Sequence, residues 1–158
     1  MVTRLSSDVR KIVLTSAAAE ARRRGDRRLG TDHLLLGLLH DTDSPVVQAL
    51  AIDLESARAA ADALDRAALA AVGVNVDHLG DPPRPAYGRR LLPLTSGARA
   101  VFKRTVEQTR KAKTQRIEAR QFLLALLDRE RPDPAAELLH ALNVDRSQVR
   151  DRLQGWRE

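Results

Sequence analysis

Three stretches of this sequence recur, in the same order, in its second half. "LSSDVRKIVLTSAAAEARRR" from Leu5 is matched by "LTSGARAVFKRTVEQTRKAK" from Leu94. "RLGTDHLLLGLLHD" from Arg28 is matched by "RIEARQFLLALLDR" from Arg116, and "SPVVQALAIDLESARAAADAL" from Ser44 by "DPAAELLHALNVDRSQVRDRL" from Asp133. A tandem repeat constrains a fold strongly, because a small unit cannot bury its apolar face alone and must pack against its copy. The expected architecture is two tandem four-helix repeats packed with pseudo-twofold symmetry, forming a single domain over residues 1–158. Repeat one is expected over about 5–74, a Pro- and Gly-rich linker over about 75–93, and repeat two over about 94–155.

The repeats read as all-α. Ala, Leu, Arg, Glu and Gln dominate, and aromatics make up only 3% of residues, with no alternating run of strand formers. Start signals divide each repeat into four helices. In the first, Ser6 or Ser7 caps a helix to about Arg24, and Thr31 caps a short one through Leu39. Ser44-Pro45 starts the third helix with Pro in its favoured first position, and Asp53 caps the fourth, to about Ala71. The corresponding positions in the second repeat are Thr95 or Ser96, Glu118 or Ala119, Asp133-Pro134, and Asp145. Gly37 aligns with Ala125, and small residues at both places point to close helix approach at the repeat interface.

Several function classes are excluded or weakened at once. With no cysteine there is no disulfide, thiolate metal site or Cys nucleophile. No apolar run approaches the ~20 residues of a membrane span. The first residues lack the apolar core of a signal peptide, so a cytoplasmic location without a membrane partner is expected. His33 and His40 lie two turns apart on one helix, roughly 10 Å, too far to share a metal. No Ser-His-Asp order or paired carboxylates stand out, so neither catalysis nor a cofactor or metal is expected.

The net charge of +6 is confined to the second half, and residues 84–120 hold eleven basic against two acidic side chains. That excess supports an alternative, a basic all-α nucleic-acid-binding protein using Arg84, Arg89, Arg90, Arg99, Lys103 and Arg110. The stacking aromatics common in such proteins are missing.

"LGTDHLLLGLLHD", following a capped amphipathic helix and repeated once, resembles the N-terminal (Clp repeat) domain of Clp ATPases of the ClpC and ClpA type. Leu5-Ser6 and Leu29-Gly30-Thr31-Asp32-His33 occupy the family's motif positions, and the resemblance spans nearly the whole chain. It implies a non-catalytic domain that docks adaptors or substrate segments for a Clp unfoldase, acting as adaptor, decoy or recognition module of a Clp protease system. It also implies a phosphoarginine-like site in the first repeat, made by Ser6 with Asp32 and flanked by Thr31 and His33. The equivalent site in the second repeat is degenerate: Thr95 is kept, but Arg120 replaces the acid. Arginine-phosphorylated proteins and cyclic peptide natural products are the family's other ligands. The Phe positions used for the latter are Val2, Leu5 and Leu94 here. The chain contains no Gly-x-x-x-x-Gly-Lys-Ser/Thr loop, so it is expected to act as a free-standing domain without AAA+ modules.

Overall fold

Helix starts fall where the capping residues put them. The computed structural model describes residues 4–75 and 92–155. Helix α1 (Ser7–Lys11) continues through a π-helical stretch (Ile12–Ala17) into α2 (Ala18–Arg23). There follow α3 (Thr31–Leu38), α4 (Pro45–Leu50) and α5 (Leu54–Ala71), then α6 (Ser96–Lys111), α7 (Ala119–Leu127), α8 (Pro134–Ala141) and α9 (Arg146–Gln154). Two short strands, β1 (Arg4–Leu5) and β2 (Arg116–Ile117), complete the described elements. Most of the linker, with Arg84, Arg89 and Arg90, lies outside the described residues, as does Val2.

The caps are local and work as the residue types require. Ser6 Oγ accepts from the Val9 N–H at 3.2 Å, and Thr95 Oγ1 from the Ala98 N–H at 3.1 Å. Asp53, Asp133 and Asp145 accept from backbone N–H groups in the first turns of α5, α8 and α9. Each such cap satisfies a donor that the helix cannot, and contributes about 1 kcal/mol. Ser44 stands at the N-cap of α4 without a side-chain bond, leaving Pro45 as the start signal.

Thr31 departs from expectation. The N-cap of α3 is Gly30, and Thr31 is already helical. The side chain that reaches back to the Gly30 N–H is His33, whose Nδ1 accepts at 2.9 Å. In α7 the same job falls to Gln121, whose Oε1 accepts from the Glu118 N–H at 3.2 Å. The His-to-Gln difference between the repeats therefore preserves one structural function.

The repeats are joined crosswise. β1 pairs with β2 in parallel, Arg4 opposite Arg116 and Leu5 opposite Ile117. Leu29 pairs in parallel with Leu94. In both pairs the segment before the first helix of one repeat lies beside the segment before the second helix of the other. Two equivalent exchanges of this kind are what a pseudo-twofold axis between the copies demands.

The core follows from that packing. Leu34, Leu35, Leu36 and Leu38 of α3 are buried together with Phe122, Leu123, Leu126 and Leu127 of α7. Helices that are apolar nearly all round belong inside. Gly37 is required by a close approach, but within the first repeat rather than between repeats. A Cβ there would meet Ala17 N at 2.9 Å and Ala17 Cβ at 3.0 Å, at the end of the π-helical stretch. Wide π turns are rare and mark local departures from regular packing; here the departure sits where α3 crosses.

Candidate functional site

Three helix starts from the two repeats converge beside Asp32. The Thr95 N–H donates to the Leu29 carbonyl at 3.0 Å, laying the start of α6 against the start of α3. Gly97 lets α6 come close, since a Cβ there would meet Asp133 Oδ2 at 2.9 Å and Thr31 Cγ2 at 3.4 Å. Thr31 Oγ1 donates to Asp133 Oδ1 at 2.7 Å and accepts from the Ala135 N–H at 3.1 Å. The hydroxyl expected to cap α3 is thus bonded at the start of α8, in the other repeat.

These contacts regroup the predicted site residues. The hydroxyl residue carried to the start of α3 is Thr95, with Cγ2 3.8 Å from the place of a Gly30 Cβ. Ser6 goes instead to the start of α7, its N–H donating to the Ile117 carbonyl at 3.0 Å. Ser6 and Asp32 are therefore not the two halves of one first-repeat pocket. Crosswise pairing gives each helix start the hydroxyl of the other repeat: Thr95 with Gly30–Asp32, and Ser6 with Glu118–Arg120. Thr31 and His33 are buried, at 1% and 3% exposure, and serve the framework. His33 Nε2 donates to Asp26 Oδ2 at 2.7 Å, and the ring tautomer follows from Nδ1 being the acceptor. Burial by itself would raise the Asp26 pKa, but the bond from His33 and the nearby Arg24 charge outweigh it and the pKa is lowered.

Asp32 is held by a residue the sequence did not single out. Arg24 donates to Asp32 Oδ2 at 2.6 Å and also to Asp65 of α5. The Arg24 side chain is 7% exposed. Burial opposes its charge, but Asp32 and Asp65 outweigh that, and its pKa is raised. The guanidinium position beside Asp32 is occupied by the chain's own arginine. On the other side of the pseudo-axis Arg120 stands in the first turn of α7, its Nε buried with no hydrogen-bond partner.

Arg24 and Asp32 are among the residues that line a groove of about 510 Å³ between α5 and α8. Its apolar lining comes from Ala61, Leu64, Ala68 and Leu138, and its acids Asp65 and Glu137 are paired with Arg24 and Arg131. Helix α5 is tied to the first helix by matched charges. Arg58, Asp62 and Asp65 of α5, at i, i+4 and i+7, meet Glu20, Arg23 and Arg24 respectively. Glu20 is buried and accepts from Arg58 Nη2 at 2.6 Å and Nε at 3.0 Å, with His40 Nε2 at 2.8 Å. Burial would raise the Glu20 pKa, yet bonds from Arg58, His40 and Arg23 leave it lowered. The complementary charge spacing was the sequence signal for this seam.

The family model described as "Clp repeat (R) N-terminal domain" matches residues 4–142. The chain belongs to the Clp N-terminal domain family. Among solved structures, this Clp N-domain is similar to the N-terminal domain of the caseinolytic-protease-associated chaperone ClpD from Arabidopsis thaliana. The TM-score is 0.73 at 20% identity, covering 98% of this chain and 96% of that one. At that identity the likeness speaks for the fold. No curated protein matches the chain significantly.

Of the six residues of the nucleic-acid alternative, the described ones, Arg99, Lys103 and Arg110, sit on α6 of this Clp N-domain. Arg99 donates to the Leu94 carbonyl at 3.1 Å, and Arg110 lies in the last turn. Lys103 lines a separate cleft that also holds Glu107, Asp128 and Glu130. Acids interrupt the cationic surface there, and family membership does not favour the nucleic-acid alternative. Among the described residues, no group of three or more His, Asp or Glu is placed to hold a metal ion, and no helix is long and apolar enough to cross a membrane.

Proposed function

We infer that this Clp N-domain is a non-catalytic docking module for protein segments in a cytoplasmic Clp protease system, acting as adaptor, decoy or recognition unit. The observation that carries this is the α5–α8 groove, whose apolar lining is built from helices of both repeats. Grooves with an apolar lining and a few polar groups suit an extended or helical segment of another protein. Asp65 and Glu137 already pair with Arg24 and Arg131, so the preference rests on the apolar lining and is for a segment with apolar anchors.

The occupied state of Asp32 bears on ligand choice. A phosphoarginine guanidinium would have to displace Arg24 from its bond to Asp32 and its second bond to Asp65. A segment lying in the α5–α8 groove leaves that pair intact. We therefore favour a Clp unfoldase, an adaptor or an unmodified substrate segment as partner over arginine-phosphorylated proteins or a cyclic peptide. The test is a pull-down with the full chain against the cognate unfoldase, its adaptors and arginine-phosphorylated protein, comparing wild type with Ala68→Arg. Enrichment lost on filling the groove supports docking there. Absence of enrichment for every partner refutes it.

A further inference from the structure

A second cleft, of about 730 Å³, lies at the β1–β2 pair, and it is lined by Arg4, Leu5, Ser7, Arg10, Gln115 and Arg116. Its three charged residues are all arginines. Arg4 and Arg116 are register partners in the parallel ladder. Register partners point to one face of a sheet, and here Leu5 and Ile117 take the inner face, leaving both arginines outward. Like charges directly opposite one another destabilise a strand pair. Elsewhere this chain places acids opposite its arginines, as at Arg24, Arg58 and Arg150. Among the described residues, Arg4, Arg10 and Arg116 make no ion pair. The adjacent acid, Asp8, contacts Ser7 at 3.4 Å and bridges none of them.

We propose that this cleft binds an oxyanion, a phosphate monoester or a carboxylate, presented by an acidic segment of a partner protein. Guanidinium groups are suited to bidentate contact with phosphate and carboxylate oxygens. An anion between Arg4 and Arg116 turns a repulsive cross-strand pair into a bridged one, with Arg10 and Ser7 supplying further donors. Among the described residues the cleft has no acid to receive a guanidinium, which favours an anion without an attached cation. Among the described residues no aromatic side chain on which bases could stack lines it, which favours a protein-borne anion over a nucleic-acid strand. The proposal rests on the docking role inferred above and adds to the apolar groove a second contact, for an anion.

The test is titration of the full chain, at low salt, with four probes. They are an acidic peptide carrying phosphoserine, the same peptide with Glu at that position, inorganic phosphate, and duplex DNA of random sequence. Wild type is compared with Arg4→Gln/Arg116→Gln. The expected result is saturable binding of a peptide, weakened about ten-fold or more in the double variant and by added salt. The unliganded variant should melt no lower than wild type, because the like-charge pair is gone. Preference for the phosphoserine peptide identifies a phosphorylated partner, and equal binding of both peptides a carboxylate-rich one. The proposal is overturned by no peptide binding, by equal binding in the double variant, by binding of inorganic phosphate alone, or by tighter binding of DNA. A positive pull-down through the groove combined with any of these results removes the cleft and leaves the docking role standing.

Discussion

Replacing Gly37 with Ala sets two effects of known sign against each other. In an exposed helix interior Gly→Ala stabilises by about 1 kcal/mol, because glycine loses more backbone entropy on folding. Here the new methyl would sit 2.9 Å from Ala17 N, 3.0 Å from Ala17 Cβ and 3.1 Å from Ala17 Cα. Two of those three atoms are backbone, so no rotamer change relieves the contact. Overpacking of a tight core costs roughly 1–3 kcal/mol, and a clash with backbone falls in the upper part of that range. The net expectation is a loss of about 1–2 kcal/mol, or roughly 2–8 °C in Tm for a domain of this size. Urea and thermal unfolding followed by far-UV circular dichroism measures it directly. The reverse change at the aligned position, Ala125→Gly, removes a buried methyl and adds glycine entropy, and should cost about 1–2 kcal/mol as well. Two opposite substitutions at matched positions are thus both destabilising. Adding Ala17→Gly to Gly37→Ala should not restore stability, since the clash with the backbone nitrogen remains and a buried helical Ala→Gly carries its own cost. A rise in Tm for Gly37→Ala would refute the close approach of α3 to the π-helical stretch.

Thr31→Val removes the hydroxyl that joins the repeats at the start of α8. Because Ala135 N–H keeps Asp133 Oδ1 at 3.0 Å as an acceptor, the cost should be only about 1 kcal/mol, read by denaturant titration. Glu20→Gln removes the buried carboxylate that pairs with Arg58, and because Arg58 is partly exposed and keeps Glu55, the expected loss is about 1–2 kcal/mol. The lowered Glu20 pKa means its contribution is complete above the ordinary carboxyl value of 4.5 and is lost as pH falls through the folded-state value. Glu20→Gln should therefore unfold with a flatter acid limb below about pH 4.5, and an unchanged acid limb would rule out the ion pair as its cause. Asp32→Ala frees Arg24 from one of its two direct acceptors while Asp65 remains. Its melting temperature should fall by only a few degrees, for a cost of about 1 kcal/mol. If partner capture survives Asp32→Ala but fails with Ala68→Arg, the apolar lining and not the carboxylate carries recognition.

The sequence by itself determined the helices, the duplication and most of the helix starts, the cap of α3 excepted. A cap is a contact between residues three or so apart, so Ser6, Asp53, Thr95, Asp133 and Asp145 could be placed without knowing the fold. The buried leucines of α3 and α7 were legible for the same reason, since a helix that is apolar on every side has one place to go. What only the tertiary structure decided were the partners across the pseudo-axis. Thr31 looks like a local cap, yet its hydroxyl bonds Asp133, 102 residues away. Ser6 and Asp32 look like one site in one repeat, yet the crosswise strand pairs give Asp32 the neighbourhood of Thr95 and send Ser6 to the start of α7. Arg24 is one arginine in an arginine-rich run until packing sets α2 beside α3 and α5, where Asp32 and Asp65 hold it. Capping is satisfied within a single turn of chain, whereas the cross-repeat contacts are made where the two copies meet, and that meeting is fixed by burial of faces that neither repeat can cover alone.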